Sequence, residues 1–355
     1  MDVKSKRSYA DSFENEPISA SWHERRMLVI EKLREHLADK DDRNFNVDDY
    51  GIEIKHRFGE GDSNRYADAY SVIVDLSAIR QEKKRRKRAV AAAASCDATA
   101  DNGNKNNNDN NNERSNRKVR MALKVIPLSS DELHFQNTPL SYSALRHSVW
   151  TEYLSMLMCT ELVEACCSPC LPYLIRKYTC PQSISRMAEK QKLFQPALVL
   201  CNELATGGNM LQWVERKTKK PACEWHACLF HLFVAMYALQ KYCDLTHHDL
   251  HLENVLLMET GHKGTEKNYW HYLIDGNNYY VPDCLGFLPI LWDFGIAYRP
   301  YVCNNESFSH VHPTDEIERN SADASRILTI LSEMRDDGEI SIPSSSWKVY
   351  ETILS

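Results

Sequence analysis

The stretch that decides the fold, "THHDLHLENVL" at residues 246–256, directly follows the long apolar run "CEWHACLFHLFVAMYALQKY" at residues 223–242. Asp249 stands in a short loop after this expected core helix, where an aspartate can accept a proton. Asn254, five residues later, and Asp293, in the downstream tetrapeptide "WDFG", can supply oxygen ligands to a hard cation such as Mg2+. The spacing is therefore compatible with a metal site, a hydrolytic site or a phosphoryl-transfer site.

Two of these alternatives lack support in the sequence. A zinc hydrolase needs histidines at ligand spacing and an open coordination position. His247, His248 and His251 instead stand beside aspartate and asparagine, which suit metals that bind oxygen. A hydrolase with a nucleophile elbow needs G-x-S-x-G, which does not occur in the chain. Phosphoryl transfer is the remaining chemistry.

Composition sets the class of protein. The 355 residues, 43% of them hydrophobic, suffice for one large domain or two medium ones. Twelve irregularly spaced cysteines, no apolar segment after Met1 and no apolar run of about 18 residues predict a soluble intracellular protein with reduced thiols and no membrane contact. One cysteine cluster lacks the paired C-x-x-C motifs and nearby histidines of zinc sites. We expect buried thiols at its members, Cys166, Cys167, Cys170 and Cys180.

A basic block, Lys83–Arg88, opens a segment that runs through alanines into an asparagine-rich tract. This composition cannot bury enough apolar surface to offset the entropy of ordering, so residues 82–118 are expected to be a disordered insertion. The net charge of -6 predicts no general affinity for nucleic acid beyond a weak contact through the basic block. A nuclear import signal and a solvated loop both fit the block, so the expected location is the cytoplasm, with the nucleus left open.

Hydrophobic periodicity predicts helices and strands in one chain. Ser21 and Glu24 form a candidate capping box for an amphipathic helix. Its apolar face would hold Met27, Ile30, Leu33 and Leu37. Strands are expected at "YGIEIKHRFGEG", "AYSVIVDLS", "VRMALKVIPL", "LPYLIRKY" and "PALVLCNEL", with a helix over about residues 143–165. Beyond "ATGG" the chain is expected to be mainly helical.

The motifs, in their order from residue 50 to about 335, resemble those of the protein-kinase superfamily. "HHDLHLEN" is similar to the catalytic loop H-R-D-L-x-x-x-N, and "DFG" is intact. The resemblance implies an α+β, bilobal protein kinase-like fold with a β-rich N-lobe, a shortened, mainly helical C-lobe and ATP between them. The implied domains are an N-terminal polar segment with the amphipathic helix at 1–47, the N-lobe at 48–204 and the C-lobe at 205–355.

The resemblance also implies a role for each matching residue. Asp249 would be the base that accepts the proton of the substrate hydroxyl, and Asn254 and Asp293 would hold Mg2+. Lys124 in "MALKV" would orient the nucleotide phosphates, with Glu152 as its ion-pair partner.

Two details of the implied ATP site depend on neighbouring residues. Glu161 and Glu164 lie on the same predicted helix as Glu152 and remain alternative partners for the lysine. The segment "NELATGGNM" is similar to the hinge between kinase lobes. In it, the backbone at Glu203 and Ala205 would meet adenine. Asn202 would lie at the back of the pocket and Asn209 near the ribose.

The sequence departs from the family pattern in several places. The glycine-rich loop keeps Gly59 and Gly61 but lacks the third glycine. His248 stands where regulated kinases carry arginine, so activation by loop phosphorylation is not expected. His251 stands where a lysine usually neutralises the transferred phosphate, so the resemblance implies a catalytic role in which a protonated His251 neutralises developing charge. This form of the loop also resembles that of aminoglycoside phosphotransferases. No A-P-E motif follows "DFGIAYRPY", whereas Asp323 is similar to the aspartate that braces the catalytic loop.

A further resemblance is to kinase-like proteins of large DNA viruses, carried by residues 272–295, for which an ordinary β-hairpin is the alternative. The implied function is ATP- and Mg2+-dependent phosphoryl transfer to serine or threonine hydroxyls of proteins, inside a host cell if the chain is viral. Two alternatives stay open: a catalytically weak pseudokinase scaffold and a small-molecule kinase. Neither the protein substrates nor the oligomeric state follows from the sequence.

Overall fold

The computed structural model describes residues 18–38, 52–58, 67–76, 118–180, 196–216, 219–261, 268–302 and 316–348. Two compact units are present. The sheet unit is drawn from Leu28–Ser129 and Ile175–Leu204. The helical unit is drawn from Met1–Met27, Ser130–Leu174 and Ala205–Ser355.

The elements follow one another in a mixed order along the chain. The described helices are α1 (Ile18–Leu37), α2 (Ser130–His134), α3 (Ser148–Glu164), α4 (Met210–Glu215), α5 (Ala222–Cys243) and α6 (Glu316–Asp336). The described strands are β1 (Ile52–Phe58), β2 (Asp68–Asp75), β3 (Lys118–Pro127), β4 (Leu174–Cys180), β5 (Ala197–Asn202), β6 (Val255–Glu259), β7 (Tyr269–Ile274), β8 (Asn277–Pro282) and β9 (Phe287–Leu291).

A five-stranded sheet in the order β1-β2-β3-β5-β4 organises the sheet unit. β1 pairs with β2, β2 with β3 and β3 with β5, each time antiparallel. Buried residues in β2 alternate with half-buried ones, because successive side chains of a strand point to opposite faces. β5 is buried along its whole length. The core of this sheet includes Val72, Val74, Met121, Leu123, Leu198 and Leu200.

Helix α1 begins at Ile18, three residues before the predicted N-cap Ser21, so the predicted capping box is wrong. The inward stripe of this helix also begins earlier than predicted, because Trp22 and Arg26 are buried. The stripe continues with the predicted Ile30, Leu33 and Leu37, which are buried. Of the predicted face, only Met27 is half-buried.

The first half of α1 is anchored within the helical unit by Arg26. The two terminal nitrogens of Arg26 each donate a 2.8 Å hydrogen bond, one to the backbone oxygen of Pro169 and one to that of Leu171. Its guanidinium also lies 5.0 Å from the ring centre of Trp22. Trp22 in turn meets the buried Trp270 edge to face at 5.6 Å. These contacts join α1 to β7.

The core helix of the helical unit is α5, which contacts α3, α6, β8 and β9. Its buried side chains lie on several faces, including Trp225, Leu229, Leu232, Met236 and Leu239. Among the described helices, α5 is long and apolar enough to cross a membrane. That is weak evidence, because a buried core helix of a soluble protein passes the same test, and α5 is mostly buried. It ends at Asp244, which has a left-handed φ of 50°.

The chain between the two catalytic motifs forms antiparallel pairs. β6 pairs with β9, and β7 pairs with β8. Asp275 and Gly276 close the second pair with φ of 50° and 75°, as a type I′ hairpin turn requires. Nδ1 of His231 on α5 lies 2.6 Å from the hydroxyl of Tyr272 on β7, and burial lowers the pKa of this histidine to about 3. The neutral His231 therefore holds the hairpin against the core helix.

The observed elements confirm the predicted α+β class and are consistent with the kinase-like fold that the motifs implied. The predicted domains stay a prediction. The two units meet along the chain between Leu204 and Ala205 and also between Met27 and Leu28, within the predicted segment 1–47. Ser130–Leu174 belongs to the helical unit, where α3 contacts α5. Of the predicted insertion at 82–118, Lys118 opens β3, and the rest lies outside the described residues.

The predicted cysteine cluster is only partly buried. Cys170 and Cys180 are buried, and burial raises the pKa of Cys170 to about 12. Cys167 is half-buried and Cys166 is exposed, so the expectation of buried thiols is wrong for Cys166. The reason lies at the end of α3, where Cys166 adopts a left-handed φ of 56° and Cys167 donates its N–H to the backbone oxygen of Leu162. This turn directs the chain away from the helix.

Replacing Arg26 with leucine should lower the free energy of unfolding by about 2 to 4 kcal/mol, because two backbone oxygens lose charged donors that solvent does not readily replace. Urea unfolding of both forms measures the difference. The exposed Arg25 on the same helix is the control, and Arg25→Leu should change stability by no more than about 0.5 kcal/mol. Equal losses in both variants would show that Arg26 does not anchor α1.

Candidate active site

The loop that contains Asp249 is held by one carboxylate on α6. Asp323 is buried, and its oxygens accept hydrogen bonds from the backbone N–H of His247 at 2.7 Å and of His248 at 2.9 Å. His248 has a left-handed φ of 63°, a conformation that costs a non-glycine residue about 1 to 2 kcal/mol. The two bonds to Asp323 offset this cost. The predicted bracing contact of Asp323 is therefore present.

His247 connects the loop to the "WDFG" segment. Its Nε2 lies 2.7 Å from the backbone oxygen of Trp292, and its Nδ1 lies 3.3 Å from the backbone nitrogen of Asp249. Both contacts are satisfied when Nε2 carries the proton and donates it, while Nδ1 accepts. The ring also lies 4.6 Å from that of Phe294. A fully buried histidine thus couples the positions of the two catalytic motifs.

Asp249 and Asn254 are brought together by the loop. Nδ2 of Asn254 donates to the backbone oxygen of Asp249 at 2.9 Å and lies 3.5 Å from its Oδ2. The other carboxylate oxygen, Oδ1, lies 3.5 Å from a terminal nitrogen of Arg326 on α6. The Asp249 side chain retains 37% of its exposure, so an acceptor hydroxyl from solvent can reach it. A carboxylate with this combination of anchoring and access can serve as a base.

Asp293 lies close to this loop. The backbone N–H of its neighbour Trp292 donates to the backbone oxygen of Asn254 at 2.8 Å. Asp293 has a left-handed φ of 67°, which directs the chain out of β9. A side chain at Gly295 would place its Cβ 3.6 Å from Oδ1 of Asp293 and 3.9 Å from Oε2 of Glu152. Oδ1 of Asp293 and Oε2 of Glu152 therefore both lie near Gly295.

Glu152 differs from the two alternative glutamates of α3. It is buried, at 2% exposure, and its carboxylate reaches the neighbourhood of Gly295. Glu161 and Glu164 are exposed, and Glu164 accepts a hydrogen bond from the hydroxyl of Tyr173. Burying a carboxylate is costly unless a partner compensates it, which favours Glu152 as the functional glutamate of the three.

The oxygen donors in the helical unit suit magnesium. Asn254 offers an amide oxygen and Asp293 a carboxylate, and Mg2+ prefers oxygen ligands and commonly takes only one or two from protein, with phosphates and water as the others. Among the described residues, no group of three or more histidine, cysteine, aspartate or glutamate side chains could hold a metal ion. A cation bound by this pair would therefore depend on phosphate oxygens of a nucleotide.

The remaining predicted nucleotide contacts lie in the sheet unit, at Ala205 and Asn209 of the helical unit, or outside the described residues. Lys124 lies in the middle of β3 at 5% exposure, opposite Leu200 of β5. Glu203, just beyond β5, is half-buried. Gly59 and Gly61 lie outside the described residues.

Asn202 at the end of β5 is buried at 1% exposure. Its Nδ2 donates to the backbone oxygen of Leu200 at 3.2 Å. This polar side chain thus bonds along its own strand through Nδ2, while its Oδ1 is buried without a hydrogen bond among the described residues.

The segment after Ala205 has structural roles that the motifs did not predict. The Gly207 N–H donates to the backbone oxygen of Leu257 at 2.7 Å, and a Cβ on Gly207 would lie 2.8 Å from that oxygen. Gly208 has a φ of 85°. The side chain of Asn209, predicted to lie near the ribose, caps α4 by accepting from the N–H of Gln212 at 2.9 Å. Glycine is needed at 207 because β6 approaches its backbone closely, and it is favoured at 208 by the positive φ.

The two histidines that depart from the kinase pattern have different surroundings. The His248 ring is buried against Tyr298 at a centroid distance of 5.8 Å. Nδ1 of His251 lies 3.9 Å from a carboxylate oxygen of Glu253, and its side chain is 31% exposed. His251 is therefore directed towards Glu253, whereas the guanidinium of Arg326 lies beside Asp249.

Arg326 was missed by the sequence analysis. Its position three residues after Asp323 could have indicated it, because residues at i and i+3 share one face of a helix. Nothing in the sequence shows which loop that face meets.

Parts of this chain are similar to known proteins. No family model matches the chain. Over 72 residues, 20% of this chain and 13% of the relative, it is 36% identical to the probable serine/threonine-protein kinase 380R of Invertebrate iridescent virus 6. A solved structure described as the CAK complex from Chaetomium thermophilum bound to ATP-gamma-S has a TM-score of 0.36 and 13% identity, over 71% of this chain and 49% of that one. The chain thus matches less than half of the length of each relative, and the sequence match supports the predicted protein kinase-like superfamily.

Replacing Asp323 with asparagine should lower the free energy of unfolding by about 2 to 3 kcal/mol, because an amide offers one acceptor and places N–H donors against a backbone N–H. Urea unfolding measures the loss. Hydrogen exchange of the peptide containing His247 and His248 should accelerate in the same variant. Asp336→Asn, at an exposed aspartate of the same helix, is the control and should leave that peptide protected. Unchanged exchange in Asp323→Asn would refute the bracing role.

Proposed function

We propose that this protein catalyses ATP- and Mg2+-dependent phosphoryl transfer to serine or threonine hydroxyls of proteins. The observation that carries the proposal is the arrangement around Asp249. Its accessible carboxylate lies 3.5 Å from Nδ2 of Asn254, which also donates to the backbone oxygen of Asp249 at 2.9 Å. The loop is tied to Trp292 and hence to Asp293. Phosphoryl transfer asks little covalent chemistry of a protein and mainly requires positioning and electrostatic stabilisation.

Each residue has a distinct task in this proposal. Asp249 aligns the acceptor hydroxyl and accepts its proton as the new phosphate bond forms. Asn254 and Asp293 would hold Mg2+, which when bound neutralises charge on the phosphate oxygens. Lys124 orients the phosphates of the nucleotide, and the buried Glu152 is the proposed partner of Lys124.

Support for a protein as the acceptor comes from the curated relative, whose name describes a serine/threonine-protein kinase. The acceptor class nevertheless needs a direct test, because the match spans only 13% of that relative. His251 favours a small hydroxylated molecule as the second candidate acceptor. This partly exposed histidine, near Glu253, occupies the position of the loop where protein kinases commonly carry a lysine.

The full chain should transfer label from radiolabelled ATP in the presence of Mg2+ to a generic basic or acidic protein. Asp249→Asn should reduce this transfer by about 100- to 10,000-fold while nucleotide binding is largely retained, because only the base is lost. Lys124→Met should weaken both nucleotide binding and transfer. The measurements are labelled product on a gel and nucleotide affinity by calorimetry.

Other outcomes separate the alternatives. Label that appears on a sugar or aminoglycoside panel but on no protein would replace the protein acceptor with a small molecule. Nucleotide binding without any transfer would identify a binding module. Equal activity of wild type and Asp249→Asn would refute the role of Asp249.

Asp293→Asn should raise the Mg2+ concentration needed for half-maximal transfer by at least about tenfold, because a neutral amide replaces a charged ligand. Asparagine tolerates the left-handed backbone of this position, so the fold should persist. Asp275→Asn is the matched control, since Asp275 also has a positive φ, of 50°, and lies in the exposed hairpin turn. A Mg2+ titration that is identical for the two variants would exclude Asp293 as a ligand.

A further inference from the structure

Arg326 makes two contacts with the loop that carries Asp249. One terminal nitrogen donates to the backbone oxygen of His248 at 3.1 Å. The other lies 3.5 Å from Oδ1 of Asp249. The guanidinium therefore spans one peptide unit and the carboxylate that follows it. The planar guanidinium has several donors and can bind two acceptors at once, whereas the compact ammonium group of a lysine is less suited to this.

One face of α6 therefore binds both backbone polar groups of His248, its N–H and its carbonyl oxygen. Asp323 accepts from its N–H at 2.9 Å, and Arg326, one helical turn later, donates to its oxygen at 3.1 Å. His248 has a φ of 63°, so this backbone conformation needs support from its surroundings. α6 provides that support with an anion and a cation spaced three residues apart.

The carboxylate of Asp249 receives a different neighbour at each oxygen. Asn254 Nδ2 lies 3.5 Å from Oδ2, and Arg326 lies 3.5 Å from Oδ1. The arrangement restricts rotation of the carboxylate. The Arg326 side chain is also 47% exposed, so it borders the surface from which an acceptor hydroxyl approaches Asp249. Arginine remains protonated at any physiological pH, unlike His251 on the same loop.

We infer that Arg326 is a positioning residue for the proposed phosphoryl transfer: it orients the Asp249 carboxylate and supplies permanent positive charge beside the reacting groups. The catalytic part of this inference, the effect of Arg326 on phosphoryl transfer, rests on the proposed function. Its structural part, the contact with the loop, stands on the two distances alone.

The test compares full-length wild type with Arg326→Gln, Arg326→Lys and the control Arg335→Gln. Arg335 lies on the same helix, 3.8 Å from the ring centre of Trp347 and paired with Asp336, away from the catalytic loop. Transfer from radiolabelled ATP is measured as kcat and as KM for ATP. Hydrogen exchange of the peptide containing His247 to Leu252 is measured in parallel.

Arg326→Gln is expected to lower kcat by about 10- to 100-fold with little change in KM for ATP, because the base is misoriented while the nucleotide contacts persist. Arg326→Lys should recover part of kcat by restoring the charge. Exchange of the loop peptide should accelerate in Arg326→Gln and remain unchanged in Arg335→Gln. A stability loss shared by all three variants would not produce this split or the rescue.

Two results would overturn the inference. If wild type transfers phosphate and Arg326→Gln matches its kcat, Arg326 has no positioning role although the proposed function stands. If wild type shows no transfer, the proposed function fails, and the exchange measurement decides the structural part. Unchanged exchange in Arg326→Gln then refutes it, and accelerated exchange upholds the contact.

Discussion

The candidate site depends on two hydrogen bonds that the Asp323 carboxylate accepts from backbone N–H groups of the loop. The donors belong to consecutive residues, and the second has a left-handed backbone. A short loop rarely adopts such a conformation by itself, because its cost must be offset by contacts from elsewhere. Here a charge buried at 3% exposure supplies them. The conformation of the loop, and hence the placement of Asp249, is therefore determined by a helix that begins more than sixty residues later in the chain.

A second dependency links this loop to the segment with Asp293. The buried His247 contacts the backbone of Trp292, and Thr246 and Tyr298 exchange two backbone hydrogen bonds of 2.9 Å. β6 and β9 pair next to these contacts. Because the segments on both sides of the site are joined by backbone bonds, Asp249, Asn254 and Asp293 cannot shift independently. This rigidity suits a reaction that depends on the position of charges more than on a reactive side chain.

The histidines of the catalytic loop illustrate how similar residues acquire different roles through their surroundings. His247 is enclosed and joins two backbone segments, whereas His251 is partly exposed and lies near Glu253. His248 contributes its backbone to Asp323 and Arg326 and its ring to a contact with Tyr298. Only the last of these contacts involves the side chain. The sequence of the loop alone does not distinguish these three surroundings.

The sequence by itself determined the α+β class, the five strands of the large sheet, the helices α3 and α5, and the protein kinase-like motifs, but it did not predict the strand pairs formed by β6 to β9 in a stretch expected to be mainly helical. These features follow from short-range patterns: alternation in β2, a continuous apolar run in α5, and fixed spacing between Asp249 and Asn254. It also predicted Glu152, although it left two other glutamates open. Only the tertiary structure showed which glutamate is buried, that Asn209 caps a helix, and that Arg326 meets Asp249. Those outcomes depend on contacts between residues far apart in the chain, and local pattern carries no information about which helix face meets which loop.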